Sequence, residues 1–289
     1  MGLLVDLGTA AAVGIGYSAG YEVRAFTLRE ATVPVLPVGS SPIRMLHLSD
    51  IHFTPRQRRK AAWLSSLASL QPDCVVVTGD FLAHRDAVPA LLSALDGLLD
   101  VPGAFVFGSN DYYAPSPKNP VRYLFDDDGT RIHGDPLPTE SLRGALEGRG
   151  WVDLDNRVGA LDVGGSHLAL RGVDDPHLER DRYADVSGPW QAGVAIGVAH
   201  APYLRVLDAM AADGARLILA GHTHGGQLRV PGFGALVTNC DLDRARARGL
   251  SRHKDAWLHV SAGCGTNPYT PVRFACRPEA TLLTLVAGS

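Results

Sequence analysis

Cysteine is scarce in this 289-residue sequence. Cys74, Cys240, Cys264 and Cys276 are scattered with no CxxC spacing, which argues against a disulfide framework and reads as reduced core or loop thiols. An excess of charge of one sign is also missing: 27 Lys and Arg stand against 30 Asp and Glu, a formal net charge of -3. A broad nucleic-acid footprint is therefore not expected. Long hydrophobic runs are absent too. The longest uncharged N-terminal stretch, Leu7 to Tyr21, falls short of the ~20 residues that a spanning helix needs. No basic residue precedes it, as a signal peptide would require. Internal repeats and low-complexity tracts are lacking as well.

What is present is a patterned globular chain. Hydrophobic residues make up 46% and charged residues 20%, enough for one large domain or two small ones with a real core. Apolar runs predict strands at Ile43–Leu48, Cys74–Thr78, Ala104–Phe107, His167–Leu170, Val194–Val198 and Leu217–Ala220. Helices are predicted over Arg56–Leu70, Ala87–Leu99, Thr139–Glu147 and Tyr203–Ala212, the first with Trp63, Leu64, Leu67 and Leu70 on one face. Short, wholly apolar strands are those covered on both faces, and their alternation with helices argues for a layered α/β domain. Residues 21–36, "YEVRAFTLREATVPVL", read as a strand pair. The stretch before them reads as a strand or helix laid on the domain, with weak membrane contact as the alternative. Ala114–Pro138, rich in Pro and Asp, reads as a loop excursion.

The residues that follow the strands carry the chemistry. Asp50 and His52 follow the first run, Asp80 the second, Ser109, Asn110 and Asp111 the third. His200 follows Val194–Val198, and "GHTHGGQL" at 221–228 ends the last run with His222 and His224. Functional groups of open α/β sheets gather at strand carboxyl ends. Oxygen and imidazole donors without thiolate suit Mn²⁺, Fe or Zn²⁺. A carboxylate such as Asp80 can bridge two ions, and ions about 3.5–4 Å apart can activate a hydroxide and polarise a phosphoryl oxygen.

In order and spacing, D-x-H (Asp50, His52), G-D (Gly79, Asp80), the element Gly108 to Asp111, His200 and G-H-x-H (Gly221 to His224) resemble the calcineurin-like metallophosphoesterases. "HLSDIHF", "GVDDP", "AGHTHGGQLRVPGFGAL" and "AGCGTNPYTPVRFACRPE" extend the resemblance to a bacterial branch that includes membrane-associated phosphoesterases and one type of UDP-2,3-diacylglucosamine hydrolase. The resemblance implies an α/β fold: a four-layer αββα sandwich of two facing mixed β-sheets flanked by helices. It implies an N-terminal extension over 1–40 and a metallophosphoesterase domain over 41–289. It also implies a two-metal centre, Mn²⁺ foremost, in which Asp50, His52 and His224 hold one ion, Asp80 bridges, and His200, His222 and an Asn hold the other.

The third motif departs from that pattern. The family has Gly-Asn-His-Asp where this chain has Gly108-Ser109-Asn110-Asp111. Either the loop shifts and Asn110 supplies its amide oxygen to the second ion, or Ser109 stands in and that ion is weakly held; the amide oxygen suits such ions better. Asn110 cannot act as a proton donor, so His84 becomes the candidate acid, against the plain reading of a surface histidine. "PRQRRK" (Arg56, Arg58, Arg59, Lys60) opposes the helix macrodipole and reads either as a solvated face or as contact with an anionic lipid or substrate. Tyr112 and Tyr113 line the pocket or pack at its edge. Asn267 and Arg273 are candidates to bind phosphate oxygens. Asp174, Asp175 and His177 read as a turn cap, and His47 as structural. The expected function is metal-dependent hydrolysis of a phosphodiester, pyrophosphate or phosphomonoester by a dinuclear metal-activated hydroxide. The expected partner is a phosphorylated small molecule or phospholipid, with no nucleic acid. The expected location is cytoplasmic, or peripheral at the inner membrane face. The alternative is a binding protein that has kept the fold and lost turnover through the altered third motif.

Overall fold

The computed structural model describes residues 14–117, 133–190, 192–230 and 232–288. Among them the chain forms, in order, β1 (Thr27–Leu36), β2 (Ile43–Leu48), α1 (Arg58–Ser66), β3 (Cys74–Thr78), α2 (Val88–Leu99), β4 (Gly103–Val106), α3 (Ser109–Tyr112), α4 (Thr139–Glu147), β5 (Val152–Asp153), β6 (Val158–Val163), β7 (Ser166–Gly172), β8 (Val194–Val198), α5 (Leu204–Ala212), β9 (Leu217–Ala220), β10 (Arg229–Val230), β11 (Gly234–Ala235), β12 (Gly249–His253), β13 (Ala256–Val260) and β14 (Glu279–Ala287). They build two six-stranded mixed sheets, ordered β1-β14-β2-β3-β4-β5 and β12-β13-β9-β8-β7-β6, beside the small hairpin β10-β11.

The burial pattern gives the layers. Ile43, Met45, Val76 and Val106 of the first sheet pack with Leu168, Ile196, Val198 and Leu219 of the second in one buried cluster. The opposite face of the first sheet buries Leu48, Val77 and Phe105 against Leu64 of α1, Leu91 and Leu95 of α2 and Leu142 of α4. The outer face of the second sheet buries Ile218 and Leu258 against Val206, Leu207 and Met210 of α5. This is the αββα sandwich. Strands β3, β8 and β9 are buried at every position because each is covered on both faces.

One expectation changes. Residues 21–36 are not a strand pair: a helical turn over Glu22–Arg24 leads into the single ten-residue strand β1. That strand lies parallel to β14, so the expected division at residue 40 falls between two strands of one sheet. The described end of the N-terminal stretch is helical and packs on the C-terminal loop. Arg273 N–H donates to the Ser18 carbonyl at 3.1 Å, and buried Glu22 accepts the N–H of Cys276 at 2.5 Å. Residues 7–13 of the uncharged stretch, and 118–132 of the Ala114–Pro138 loop, lie outside the described residues. No helix among the described residues is long and apolar enough to cross a membrane.

Parallel pairing of β2, β3 and β4 in one sheet and of β7, β8 and β9 in the other brings their carboxyl ends to one edge of the sandwich. The segments that hold the chemistry begin there.

Candidate metal centre

Each ligand-bearing segment turns sharply as it leaves its strand. Asp50, His52, Asp80, His222 and His224 all have left-handed backbones, with φ of 47°, 44°, 54°, 66° and 49°. Such a conformation costs a non-glycine residue on the order of 1–3 kcal/mol and persists only where its surroundings enforce it. Backbone pairing supplies part of the enforcement. The N–H groups of Asp50, His52 and Phe53 donate to the carbonyls of Gly79, Asp80 and Phe81 at 2.8–2.9 Å. Asp111, fully buried, accepts the N–H groups of Asp80, Phe81, Leu82 and Gly108 at 2.8–3.2 Å. One carboxylate thus ties the Asp80 loop to the start of α3, a role that the sequence reading did not give it.

The side chains converge on a common space. Ligand atoms of Asp50, His52 and His224 lie within 4.8 Å of one another, as do those of Asp50, Asp80 and His200. His52 Nε2 is 3.2 Å from His224 Nε2, and His224 Nε2 is 3.6 Å from Asp50 Oδ1. Asp80 faces both halves: Oδ2 is 3.4 Å from His52 Nε2 and Oδ1 is 3.7 Å from His200 Nε2. The His222 ring centroid is 5.2 Å from that of His200.

Outer hydrogen bonds orient these groups. His200 Nδ1 donates to the Thr78 carbonyl at 2.6 Å, so Nε2 is the atom that faces the centre once its proton is displaced. His224 Nδ1 is 3.2 Å from the Gly265 carbonyl, and His222 Nε2 is 3.2 Å from the Asn239 carbonyl. Donation from His222 Nε2 leaves the lone pair on its Nδ1, the tautomer that ligation requires, whereas His224 Nδ1 lies equally close, at 3.2 Å, to the donor Arg273 Nη2. Asp50 Oδ2 accepts from Ser49 Oγ at 2.6 Å and from the His222 N–H at 3.0 Å. Its other oxygen, Oδ1, is buried without a partner, and so are His52 Nδ1 and His200 Nε2. Buried polar atoms without partners are costly, and two of these three belong to the converging set.

The electrostatics agree with a cation-binding space. Burial, with the charges of Lys60 and His200 beside it, lowers His52 to about 4 against the pull of Asp80. Burial and His52 hold His224 well below the usual imidazole range. Both rings are thus neutral, as ligands must be. Burial raises Asp50 to about 6. Burial also acts to raise Asp80, but His200, His52 and the Asn110 hydrogen bonds outweigh it and lower that carboxyl. Burial alone would lower His200; Asp80, Asp175 and Asp50 override it and raise the ring to about 9. A site that stabilises a positive charge on a buried imidazole is one where a cation is favoured. The oxygen and nitrogen donors, their tautomers and the unpartnered buried atoms fit divalent metal ions.

The remaining candidates divide. Asn110 joins the cluster, but through its donors: its N–H and Nδ2 reach Asp80 Oδ1 and Oδ2 at 2.7 and 2.8 Å, so the amide nitrogen, not the oxygen, faces the carboxylate. His84 is exposed at a turn, where its Nδ1 accepts the N–H of Asp86 at 3.1 Å; that geometry does not bring it to the metal ligands. Tyr112 is half-buried, its hydroxyl donating to Asp174 at 2.8 Å beneath Arg180. Tyr113 packs on the His133 ring. Asn267 caps its own turn by accepting the N–H of Tyr269 at 2.9 Å. Arg273 is wholly buried and spends its guanidinium on the carbonyls of Ala262, Gly265 and Cys276, so it braces the loop beside His224 and presents no surface to a substrate. Lys60 is likewise buried, donating to the Ile51 and His52 carbonyls at 2.6 and 3.2 Å; of the basic run, it belongs to the centre and not to a solvated face. His47 pairs with His259 at 2.8 Å between the sheets, a structural contact.

The sequence matches those of known proteins. The model of the family described as calcineurin-like phosphoesterase matches residues 43–226. The chain is 28% identical over 253 residues to the uncharacterized metallophosphoesterase YkoQ of Bacillus subtilis, covering 83% of this chain and 82% of that one. It is 26% identical over 287 residues to the phosphodiesterase YaeI of Escherichia coli, covering 96% and 94%. Among solved structures, TT1561 of Thermus thermophilus aligns with a TM-score of 0.43 at 12% identity, over 77% of this chain and 90% of that one. With the family model spanning more than half of its length, the chain belongs to the calcineurin-like phosphoesterases and is a metal-dependent hydrolase of that family.

Proposed function

We propose that the chain hydrolyses a phosphodiester or pyrophosphate bond at a dinuclear centre formed by Asp50, His52, Asp80, His200, His222 and His224, with Mn²⁺ as the foremost metal and Fe or Zn²⁺ as alternatives. One observation carries this reading: the Asp80 carboxylate turns one oxygen toward His52 and the other toward His200, the position of a bridging ligand. Divalent ions bound there supply Lewis acidity to the phosphoryl group and an activated water as nucleophile. The chain's own residues do the positioning. Asn110 fixes the Asp80 carboxylate through two hydrogen bonds and adds to the effect of His200 and His52 in keeping it ionised. Gly108, at the N-terminus of α3, lets the backbone approach closely, since a Cβ there would lie 2.5 Å from Asp80 Oδ1. Asn110 offers no acidic proton to a leaving group, which favours leaving groups that need little protonation, such as a nucleotide or a pyrophosphate, over a simple alkoxide. No observation favours the alternative of a fold that has lost turnover.

The substrate we infer is a phosphorylated small molecule, lipid-linked or nucleotide-linked, and not a nucleic acid. A lipid-linked substrate would bring the chain to the inner membrane face as a peripheral protein. Exposed Ile15, Tyr17, Tyr21 and Phe274, with the Tyr17 ring 5.4 Å from Tyr21 and 6.4 Å from Phe274, form the apolar patch suited to that contact. The test of the activity is hydrolysis of bis(p-nitrophenyl) phosphate in the presence of Mn²⁺. Turnover that disappears with chelator and in Asp80→Ala supports the reading; turnover indifferent to both would refute it. Sedimentation with anionic phospholipid vesicles that is unchanged by Tyr17→Ser/Phe274→Ser would exclude the patch as the contact.

A further inference from the structure

The third motif leaves one half of the centre short of oxygen. Its carboxamide position is Ser109, and the neighbouring Asn110 turns its amide nitrogen to Asp80. Two carboxylates, Asp50 and Asp80, stand in the triads, too little negative charge to balance two divalent cations. A third buried carboxyl lies alongside. Asp175 follows β7, whose carboxyl end points to the same edge of the sandwich, and it is 0% exposed. Its Oδ1 accepts the N–H of His177 at 2.9 Å, the cap expected of an Asp-Pro turn, and the His177 ring lies 4.5 Å from the His222 ring. Its Oδ2 is buried without a partner. A turn cap needs one oxygen, and nothing in the cap accounts for the other.

We propose that Asp175 is the outer anionic partner of the ion held by His200 and His222. The inference rests on the dinuclear reading above. Asp175 gives one oxygen to the turn and, like His222, stands outside the two groups whose atoms lie within 4.8 Å of one another; it acts as an outer partner of the ion. A carboxylate in that position orients the ligand shell and offsets cation charge, and removing such a partner weakens metal affinity by about 10–100-fold.

The experiment uses the whole chain, stripped of metal and titrated with Mn²⁺ alone, with bound ions counted by mass spectrometry and free Mn²⁺ followed by electron paramagnetic resonance. Asp175→Asn keeps an oxygen for the His177 N–H while removing the charge. The wild type is expected to take up two ions. Asp175→Asn is expected to keep the first at wild-type affinity and to bind the second about tenfold or more weakly. Two ions bound at wild-type affinity in Asp175→Asn would overturn the proposal, and so would equal weakening of both. Wild-type protein that takes up no Mn²⁺ would sink the dinuclear reading itself, and this inference with it. Should Asp175→Asn fail to fold, Asp175→Ser, which keeps a hydroxyl acceptor for the turn, is read by the same criteria.

Discussion

Gly221 is the point at which the smallest change should do the most damage. Its backbone does not need glycine's conformational freedom, since its φ is not in the left-handed region; space alone demands it. A Cβ at this position would lie 1.8 Å from Ser49 Oγ, 2.6 Å from Asp50 Oδ2 and 2.9 Å from Ser49 Cβ. In Gly221→Ala the serine hydroxyl must leave, and its 2.6 Å hydrogen bond to Asp50 goes with it. A hydrogen bond to a charged group contributes about 1.5–3 kcal/mol, and overpacking a filled site costs a further 1–3 kcal/mol or about that. The combined loss is roughly 2.5–6 kcal/mol, which at about 2–4 °C per kcal/mol lowers Tm by about 5–24 °C. The same displacement turns Asp50 out of its place between the two ligand groups, so Mn²⁺ affinity falls by about 10–100-fold. Thermal melts in chelator read the first effect, and calorimetric titration with Mn²⁺ reads the second. Gly20→Ala is the control, because nothing lies within 4 Å of its Cβ. A Gly221→Ala protein that melts with the wild type and binds Mn²⁺ equally well would show that the two loops yield freely and would refute the packing argument.

Other expectations follow from the same geometry. Asp80→Asn should lose about 10²-fold or more in hydrolysis of bis(p-nitrophenyl) phosphate, because the charge facing both halves of the centre is gone; an active variant would count against the bridging role. His84→Ala, altering an exposed group engaged with Asp86, should leave that rate within about twofold, as surface changes away from a site usually do. Arg273→Met should lower stability by about 3–5 kcal/mol in denaturant titrations, because it strips buried carbonyls of a charged donor; a variant with intact stability and a raised KM would instead restore a substrate role. In metal-free protein, His200, raised from 6.5 to about 9, contributes stability that is fully present below pH 6.5 and is lost as pH rises through 9. The contribution is about 3 kcal/mol, and His200→Asn should abolish that slope. An ion ligated by His200 must displace its proton, so Mn²⁺ affinity should rise about tenfold per unit between pH 7 and 8.5; a flat profile would contradict the assignment.

Most of the sandwich could be read before any coordinates. Ile43–Leu48, Cys74–Thr78, Val194–Val198 and Leu217–Ala220 begin and end where their apolar patterns do, because strands covered on both faces leave no ambiguity of register with solvent, and helix Thr139–Glu147 keeps its expected bounds as well. Arg56–Leu70 was legible as a helix but not its subdivision: α1 starts at Arg58, and the final turn tightens at Leu67–Leu70. The N-terminal strand was misread as a pair because its long-range partner, β14, lies some 250 residues away, beyond any local pattern. At the centre, residue types at strand ends pointed to ligands, yet the left-handed turns at Asp50, His52, Asp80, His222 and His224 leave no trace in composition. Lys60 read as part of a solvated face or an anion contact, and Arg273 as a candidate to bind phosphate oxygens, because charge normally seeks water or a counter-charge. Their burial depends on carbonyls contributed by distant loops. The one available signal for Asp175 was its position after an apolar run, shared with the other acidic strand ends, and the Asp-Pro turn masked it.

The central claim is that separate strand ends hold two metal ions side by side. Anomalous diffraction at the manganese edge from Mn²⁺-loaded crystals tests it most directly. The account predicts two peaks about 3.5–4 Å apart, one beside Asp50, His52 and His224 and the other beside His200 and His222, with Asp80 between them. A single peak, or two that share no carboxylate, would contradict it.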